Sequence, residues 1–175
     1  MSPLAQIGEQ SLRVRPSSSV HSAILGTRNI PWPDEAACAA CAVALAANPA
    51  LRDAYVELHG VLGAGKTSFA RHLLHALGAT GRVKSPTYTV MEPYALPGFT
   101  AAHFDFYRFD DPQEWEDAGF REVFAAPGLK LAEWPDKAAG LLPAPDLRID
   151  IEPLEGDARR AVFSAFTSRG LELLA

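Results

Sequence analysis

Residues 60–67 read Gly60-Val61-Leu62-Gly63-Ala64-Gly65-Lys66-Thr67 and match the phosphate-binding pattern GxxxxGK[ST] at every fixed position. Closely spaced glycines let the backbone curl so that successive N–H groups point at phosphate oxygens, and a following helix N-terminus adds partial positive charge. Lys66 is then placed to reach the β- and γ-phosphates, and the Thr67 hydroxyl to bind magnesium. The alternative is a glycine turn that binds nothing, but such a turn has no need of Lys66 and Thr67 together.

The segments on both sides of this stretch have the periodicity that such a site requires. Residues 55–59 alternate β-forming side chains and predict a strand that runs straight into the first glycine. Residues 68–77 carry apolar side chains at spacings of three and four, which predicts a helix with one buried face. We therefore expect the nucleotide to be bound by Gly60, Gly63, Ala64, Gly65, Lys66, Thr67 and Ser68.

Length, composition and charge limit the class of protein. A chain of 175 residues that is 48% hydrophobic is long enough for one domain with a proper core. The formal net charge of -5 indicates no strong basic surface for duplex nucleic acid, so we predict no DNA binding. No apolar run approaches the roughly eighteen residues needed to cross a bilayer, and the first residues lack an apolar signal core. We expect a cytoplasmic protein without a membrane partner.

The rest of the chain predicts one α/β domain. Residues 1–28 have little apolar periodicity and are interpreted as a flexible N-terminal extension, with the P-loop ATPase domain at 29–175. The short link at Pro97-Gly98 predicts a hairpin, so part of the sheet is antiparallel. Residues 147–151 and 161–166 alternate as two late strands. The predicted fold class is α/β, a P-loop NTPase fold in a single domain whose mixed parallel and antiparallel central sheet is flanked by helices.

Cys38 and Cys41 form a single CxxC pattern in an alanine-rich segment that predicts a helix with Asp34 as its N-cap. A structural zinc site needs four ligands, and the sequence contains no second cysteine pair. Cysteine inside such a helix behaves as a small buried hydrophobic residue. The pattern therefore favours packing over metal binding or redox chemistry.

Two carboxylates follow predicted strands at points where chemistry is expected. Asp105 closes an apolar run that only His103 interrupts, and Glu133 closes the run that begins at Leu129. In this fold class the strand C-termini converge beside the phosphate loop, so acids there can hold magnesium or position the attacking water. For each acid alone, capping of a turn is the alternative. Whether Asp105 is catalytic or belongs to the metal shell stays open.

A hydroxyl-rich loop, Ser85-Pro86-Thr87, lies between the predicted phosphate-loop helix and the strand of Asp105. Nucleotide-switching proteins place a segment that senses the γ-phosphate in this position. An ordinary Ser-Pro turn explains the same residues equally well.

Four motifs in order carry a family resemblance: residues 60–68, 83–89, 103–108 and 131–135. Together they resemble the TsaE family, also called YjeE, the bacterial ATPases of tRNA threonylcarbamoyladenosine biosynthesis. The likeness runs from about Ile30 to the C-terminus.

The resemblance implies an ATPase that uses ATP and Mg²⁺ and docks on a heterodimer of TsaD-type and TsaB-type proteins. That heterodimer transfers threonylcarbamoyl to adenosine 37 of tRNA, so the ATPase would meet tRNA only indirectly. The implied roles are phosphate binding and catalysis for Lys66, magnesium binding for Thr67, and magnesium binding and catalysis for Glu133. Asp105 would be catalytic by assisting hydrolysis, or would belong to the metal shell. Glu35 is placed near the adenine.

Two further implications concern neighbouring residues. The resemblance implies that Trp134 and the loop at residues 85–87 respond to the nucleotide. Val61 is a departure, because the family usually has an acid directly after the first glycine. The pattern leaves that position free, so phosphate binding should survive while any electrostatic or partner-facing role of the acid is lost.

Two other functions stay open. A small-molecule kinase of the same fold would pass the phosphate to a bound acceptor and would normally carry arginines in a lid over the phosphates. Arg159 and Arg160 are the only adjacent basic pair in the second half, and their place in or near a late strand argues against a lid. A partner-binding nucleotide sensor with little hydrolysis is the other alternative, in which Asp105 and Glu133 only hold metal.

Overall fold

A mixed sheet organises the chain, and the computed structural model describes it for residues 23–175. The seven strands of this part of the chain lie in the order β1-β7-β6-β2-β5-β4-β3. Strands β6, β2, β5 and β4 are parallel to one another, β7 is antiparallel to β1 and β6, and β3 is antiparallel to β4. The strands are β1 Gly26–Trp32, β2 Tyr55–His59, β3 Met91–Leu96, β4 Phe99–Asp105, β5 Leu129–Glu133, β6 Leu147–Pro153 and β7 Arg159–Ala165. The predicted α/β class with a mixed sheet is confirmed.

Helices cover both faces of this sheet. They are α1 Glu35–Ala46, α2 Lys66–Ala76, α3 Pro112–Asp117, α4 Phe120–Ala125 and α5 Ser168–Leu174, with 3₁₀ helices at Pro49–Asp53 and Pro135–Ala138. Asp34 caps α1 as predicted, because its side chain accepts a hydrogen bond from the N–H of Ala37 at 2.8 Å. Among residues 23–175 we find no helix with the length and apolar character required for a membrane span.

Two apolar clusters hold these layers together. On one side α1 and α2 pack on the sheet, where the ring of Trp32 stacks on Phe69 with centroids 5.3 Å apart. On the other side Phe104 and Phe106 of the β4 end pack with Trp115 and Phe120 from α3 and α4. Strand β5 lies between the two clusters and is buried along its whole length. The sheet centre is therefore rigid, and its strand ends provide fixed attachment points for a site.

The boundary predicted at residue 28 falls inside strand β1. Gly26 to Trp32 pair with β7 in register, Gly26 opposite Ala165 and Trp32 opposite Arg159. Most side chains of this edge strand are exposed, so an apolar alternation that would reveal a strand is missing. The part of the predicted extension before residue 23 lies outside the described residues.

The two cysteines lie in α1 and are both free thiols. Cys38 is buried in the core cluster and Cys41 is half-buried against it, as the packing interpretation predicted. Burial raises the pKa of Cys38 to about 12, and the neighbouring Cys41 and Glu35 add to this effect. Within residues 23–175 no group of three or more His, Cys, Asp or Glu side chains is arranged to hold a metal ion.

Candidate nucleotide site

The glycine loop, residues 60–65, joins the end of β2 to the start of α2. Its glycines do two different things. Gly63 and Gly65 have φ of 78° and 108°, and a Cβ on either would meet nothing within 4 Å, so both line open space. A Cβ on Gly60 would instead lie 2.5 Å from the carbonyl oxygen of Ile151 in β6. The loop thus packs tightly against the sheet at Gly60 and leaves open space beside Gly63 and Gly65.

The N-terminus of α2 faces this open space with free backbone donors. Gly65 is the N-cap residue and offers no side-chain hydrogen bond, and the first helical bond is that of Phe69 N–H to Gly65 C=O at 2.9 Å. The N–H groups of the first turn therefore lack a side-chain partner. They combine with the helix dipole into an arrangement suited to an anion.

Lys66 lies under the loop at the start of α2. Its Nζ donates to the carbonyls of Gly60 at 2.7 Å and Val61 at 2.9 Å, and it lies 3.9 Å from the ring centroid of Trp134. Burial lowers the pKa of Lys66, while the carboxylates of Glu133 and Asp105 act in the opposite direction. The ammonium is thus held at the loop by two carbonyls and one aromatic face, and the charges of two nearby acids favour its protonated form.

Thr67 and Glu133, the two predicted magnesium ligands, are in contact. Thr67 Oγ1 donates to Glu133 Oε2 at 2.8 Å, and His103 Nε2 lies 2.9 Å from Glu133 Oε1. Glu133 is only 2% exposed although it ends a strand. Hydroxyl and carboxylate oxygens are the donors that magnesium prefers, with phosphate oxygens and waters completing the octahedron. The residues present fit an ion that is held jointly with a nucleotide.

Asp105 ends β4 opposite Glu133 in the register of the two parallel strands. Its Oδ2 accepts hydrogen bonds from the hydroxyls of Ser85 and Thr87, the latter at 2.8 Å, and its Oδ1 accepts from Tyr107 N–H at 2.9 Å. Asp105 therefore anchors the Ser85-Pro86-Thr87 loop in the site. Ser85 of this loop contacts Asp105 although the two residues are 20 positions apart in the sequence.

Two cavities meet at Gly65 and Ser68. The first, about 280 Å³, is lined by the charged and hydroxyl groups just described; we call it the phosphate cavity. The second, about 270 Å³, we call the nucleoside cavity, and it is lined mainly by residues of β1, α1 and β7: Trp32, Asp34, Glu35, Cys38 and Arg159. Glu35, predicted near the adenine, lines this second cavity, and its carboxylate also lies 3.2 Å from His72 Nε2. The two cavities thus adjoin at the start of α2, one lined by hydroxyl, ammonium and carboxylate groups and the other mainly by side chains of β1, α1 and β7.

Arg159 was predicted to lie in or near a late strand, a place that argues against a lid over the phosphates. It does begin β7, but its Nε donates to the carbonyl of Ala64 at 3.0 Å and its side chain lines the nucleoside cavity. The antiparallel return from β6 causes this, because it pairs Arg159 with Pro153 at the edge of the sheet nearest the glycine loop. Its place in a strand therefore does not remove Arg159 from the site.

His103 is another residue that was not predicted to belong to the site. In the sequence it appears as a polar interruption of the apolar run before Asp105 and as the first residue of the motif at residues 103–108. Val61, by contrast, is 62% exposed and is not among the residues that line the phosphate cavity.

Comparison with known proteins identifies the family. The model of the family described as "Threonylcarbamoyl adenosine biosynthesis protein TsaE" matches residues 32–162. The chain is 42% identical over 119 residues to the tRNA threonylcarbamoyladenosine biosynthesis protein TsaE of Haemophilus influenzae, covering 68% of this chain and 75% of that protein. The protein of the same name from Bacillus subtilis is 38% identical over 114 residues, covering 65% of this chain and 71% of its own.

A solved structure has the same architecture. The crystal structure of Bacillus subtilis YdiB superposes with a TM-score of 0.70 at 26% identity, covering 87% of this chain and 95% of that one. The family match spans the glycine loop, both acids and strands β2 to β6, and it includes only the last residue of β1 and the first part of β7. The chain belongs to the TsaE family.

Proposed function

We propose that this chain is a P-loop ATPase subunit required for the N6-threonylcarbamoyladenosine modification at position 37 of tRNA. It binds and hydrolyses Mg-ATP and thereby drives turnover of a TsaD–TsaB type complex. One observation carries the ATPase part: Lys66, Thr67, Asp105 and Glu133 converge on a single cavity at the N-terminus of α2. Family membership supports the tRNA part.

Binding begins with Lys66 and the backbone of the glycine loop. Phosphate oxygens would replace the carbonyls of Gly60 and Val61 as acceptors for Lys66 Nζ, and the free N–H groups of α2 would take the remaining oxygens. The ring of Trp134 limits where the ammonium can go. These groups position the phosphates and neutralise their charge, which is most of what phosphoryl transfer requires.

Thr67 and Glu133 would hold the magnesium ion, which when bound neutralises charge on the β- and γ-phosphates. Glu133 is fixed at both carboxylate oxygens, so it presents a pre-organised ligand. Asp105 would orient the attacking water or a water of the metal shell. Since its carboxylate already holds Ser85 and Thr87, a change at the γ-phosphate would reach their loop and the adjoining Tyr88, which is exposed to a partner.

The hydrolysis of ATP by the full chain tests the proposal, measured alone and with purified TsaD-type and TsaB-type proteins. We expect slow hydrolysis alone and clear stimulation by the two partners. Hydrolysis by the isolated chain on the order of ten per second, the median of ordinary enzymes, would contradict the dependence on partners. Transfer of phosphate to a small-molecule acceptor without partners would instead identify a kinase.

Thr67 provides the matched variants for the same assay. Thr67→Ser keeps the hydroxyl that contacts Glu133, and Thr67→Val keeps the shape but removes it. We expect Thr67→Ser to retain most activity and Thr67→Val to lose it by roughly 100-fold, because one preorganised electrostatic group is worth about that much. Equal activity of both variants would exclude the hydroxyl from the mechanism.

The nucleotide dependence of partner binding is tested by a pulldown with ATP and then with ADP. We expect the TsaD-type and TsaB-type proteins to be retained in one nucleotide state more than in the other. Equal retention in both states would show that the nucleotide does not control docking.

A further inference from the structure

His103 interrupts the apolar run at residues 101–104 of β4, the strand that lies between β5 and the edge strand β3. It lies between Ala102 and Phe104 of β4 and is fully buried at 0% exposure. Its Nδ1 has no hydrogen-bond partner in the described part of the chain. A buried nitrogen without a partner lowers stability, and an apolar side chain would fill the same space without that cost. Packing alone therefore does not explain a histidine here.

The other ring nitrogen makes one contact, and that contact is with the site. His103 Nε2 lies 2.9 Å from Glu133 Oε1, while Thr67 Oγ1 donates to Glu133 Oε2 at 2.8 Å. The Glu133 carboxylate is thus held at both oxygens, at Oε1 by His103 of the neighbouring strand β4 and at Oε2 by Thr67 in the first turn of α2. Because an ionised carboxylate oxygen only accepts, a hydrogen bond at this contact requires a proton on Nε2.

Sheet register explains how His103 reaches this position. In the parallel pair of β4 and β5, His103 is opposite Leu131 and Asp105 is opposite Glu133. Side chains two residues apart share a face, so His103 and Asp105 point to the same side and Glu133 is the diagonal neighbour of His103. His103 therefore lies one step behind the two acids, where it can support a ligand without touching the nucleotide.

We propose that His103 is a positioning residue that orients the Glu133 carboxylate for magnesium through its Nε2–H bond to Oε1. Outer partners of this kind fix the orientation of metal ligands, and their loss typically weakens metal binding 10–100-fold. The inference rests on the proposed function, since it assigns magnesium to Glu133. It adds a residue that contacts neither the metal nor the nucleotide.

The magnesium requirement for nucleotide binding tests this role without measuring catalysis. The affinity of a non-hydrolysable ATP analogue is measured by calorimetry over a range of Mg²⁺ concentrations, and again in EDTA. For His103→Leu, which removes the donor at similar volume, we expect the half-saturating Mg²⁺ concentration to rise roughly 10–100-fold with unchanged affinity in EDTA. His103→Gln can still donate to Glu133 and should restore most of the magnesium response.

Two controls separate this role from a general effect on the fold. His75 is on α2, where its ring contacts the carbonyl of Gly81 at 3.0 Å outside the site, so His75→Leu should leave the magnesium response unchanged. A folded His103→Leu chain with the wild-type magnesium response would overturn the role of His103 but not the proposed function. A wild-type chain whose nucleotide binding ignores Mg²⁺ would overturn the proposed function as well.

The tautomer of His103 gives a test that needs no variant. Nitrogen-15 NMR of the wild-type chain distinguishes a protonated Nε2 from a protonated Nδ1. The proposed bond requires the Nε2–H form, whereas a neutral Nδ1–H form would leave no donor toward Glu133 and would refute the role. This measurement decides the question even where His103→Leu does not fold.

Discussion

Substituting Gly60, the first glycine of the loop, tests whether this residue is required for close packing against the sheet while Gly63 and Gly65 are not. In Gly60→Ala the new Cβ would lie 2.5 Å from the carbonyl oxygen of Ile151 and 2.9 Å from the Cβ of Ala64. The backbone there has φ of 145°, which side chains rarely adopt. Ile151 belongs to strand β6 and Ala64 is a fully buried residue of the loop itself, so neither can easily move. We expect a loss of stability, with a loss of nucleotide binding only as a consequence.

The magnitude follows from two contributions. Overpacking of a well-packed region costs about 1–3 kcal/mol, and a strained backbone conformation about 1–3 kcal/mol. Their sum for Gly60→Ala is about 2–6 kcal/mol, a large share of the roughly 5–15 kcal/mol that stabilises a typical domain. Gly63→Ala is the matched control, because its Cβ meets nothing within 4 Å and only φ of 78° is unfavourable. Its expected cost is about 1–2 kcal/mol.

Urea unfolding followed by tryptophan fluorescence measures both variants against the wild type without nucleotide. We expect Gly60→Ala to shift the midpoint clearly further than Gly63→Ala, with equal slopes. Equal free energies of unfolding, within about 0.5 kcal/mol, would refute the reasoning. They would mean that the loop moves away from β6 at little cost in free energy, and that the close packing of Gly60 against Ile151 is not required.

Three more outcomes follow from the site. Glu133→Ala should impair magnesium-dependent hydrolysis while some nucleotide binding remains, and unchanged turnover would remove Glu133 from the mechanism. Arg159→Ala should weaken nucleotide affinity in calorimetry, because Arg159 lines the nucleoside cavity and donates a hydrogen bond to the carbonyl of Ala64. Arg160 is exposed, so Arg160→Ala is the control and should bind the nucleotide normally. Equal affinities of the two variants would contradict the assignment of Arg159 to the site. Burial raises the pKa of Cys38 from 9.0 to about 12, which lowers its thiolate fraction at pH 8 about 1000-fold. Alkylation of Cys38, followed by mass spectrometry, should therefore be slow in the folded chain and fast in urea. Fast alkylation of the folded chain would show that the thiol is open to solvent.

Local patterns were sufficient for the centre of the site. The glycine loop, the strand before it and the helix after it depend on neighbouring residues and on side-chain period, and each was predictable from residues 55–77. The two acids were also predictable, because parallel strands end at the same edge of a sheet. The N-terminal boundary was not, since β1 is an exposed edge strand that owes its conformation to pairing with β7.

The sequence by itself determined which groups are available to phosphate and metal and their order along the chain. Only the tertiary structure decided that Arg159 meets the glycine loop across 95 residues, that His103 supports Glu133 across 30, and that Ser85 holds Asp105 across 20. The physical reason is that these contacts depend on strand order and register. Register is a property of the whole sheet, because it is set by burying both faces of the central strands at once, and no local stretch of sequence carries it.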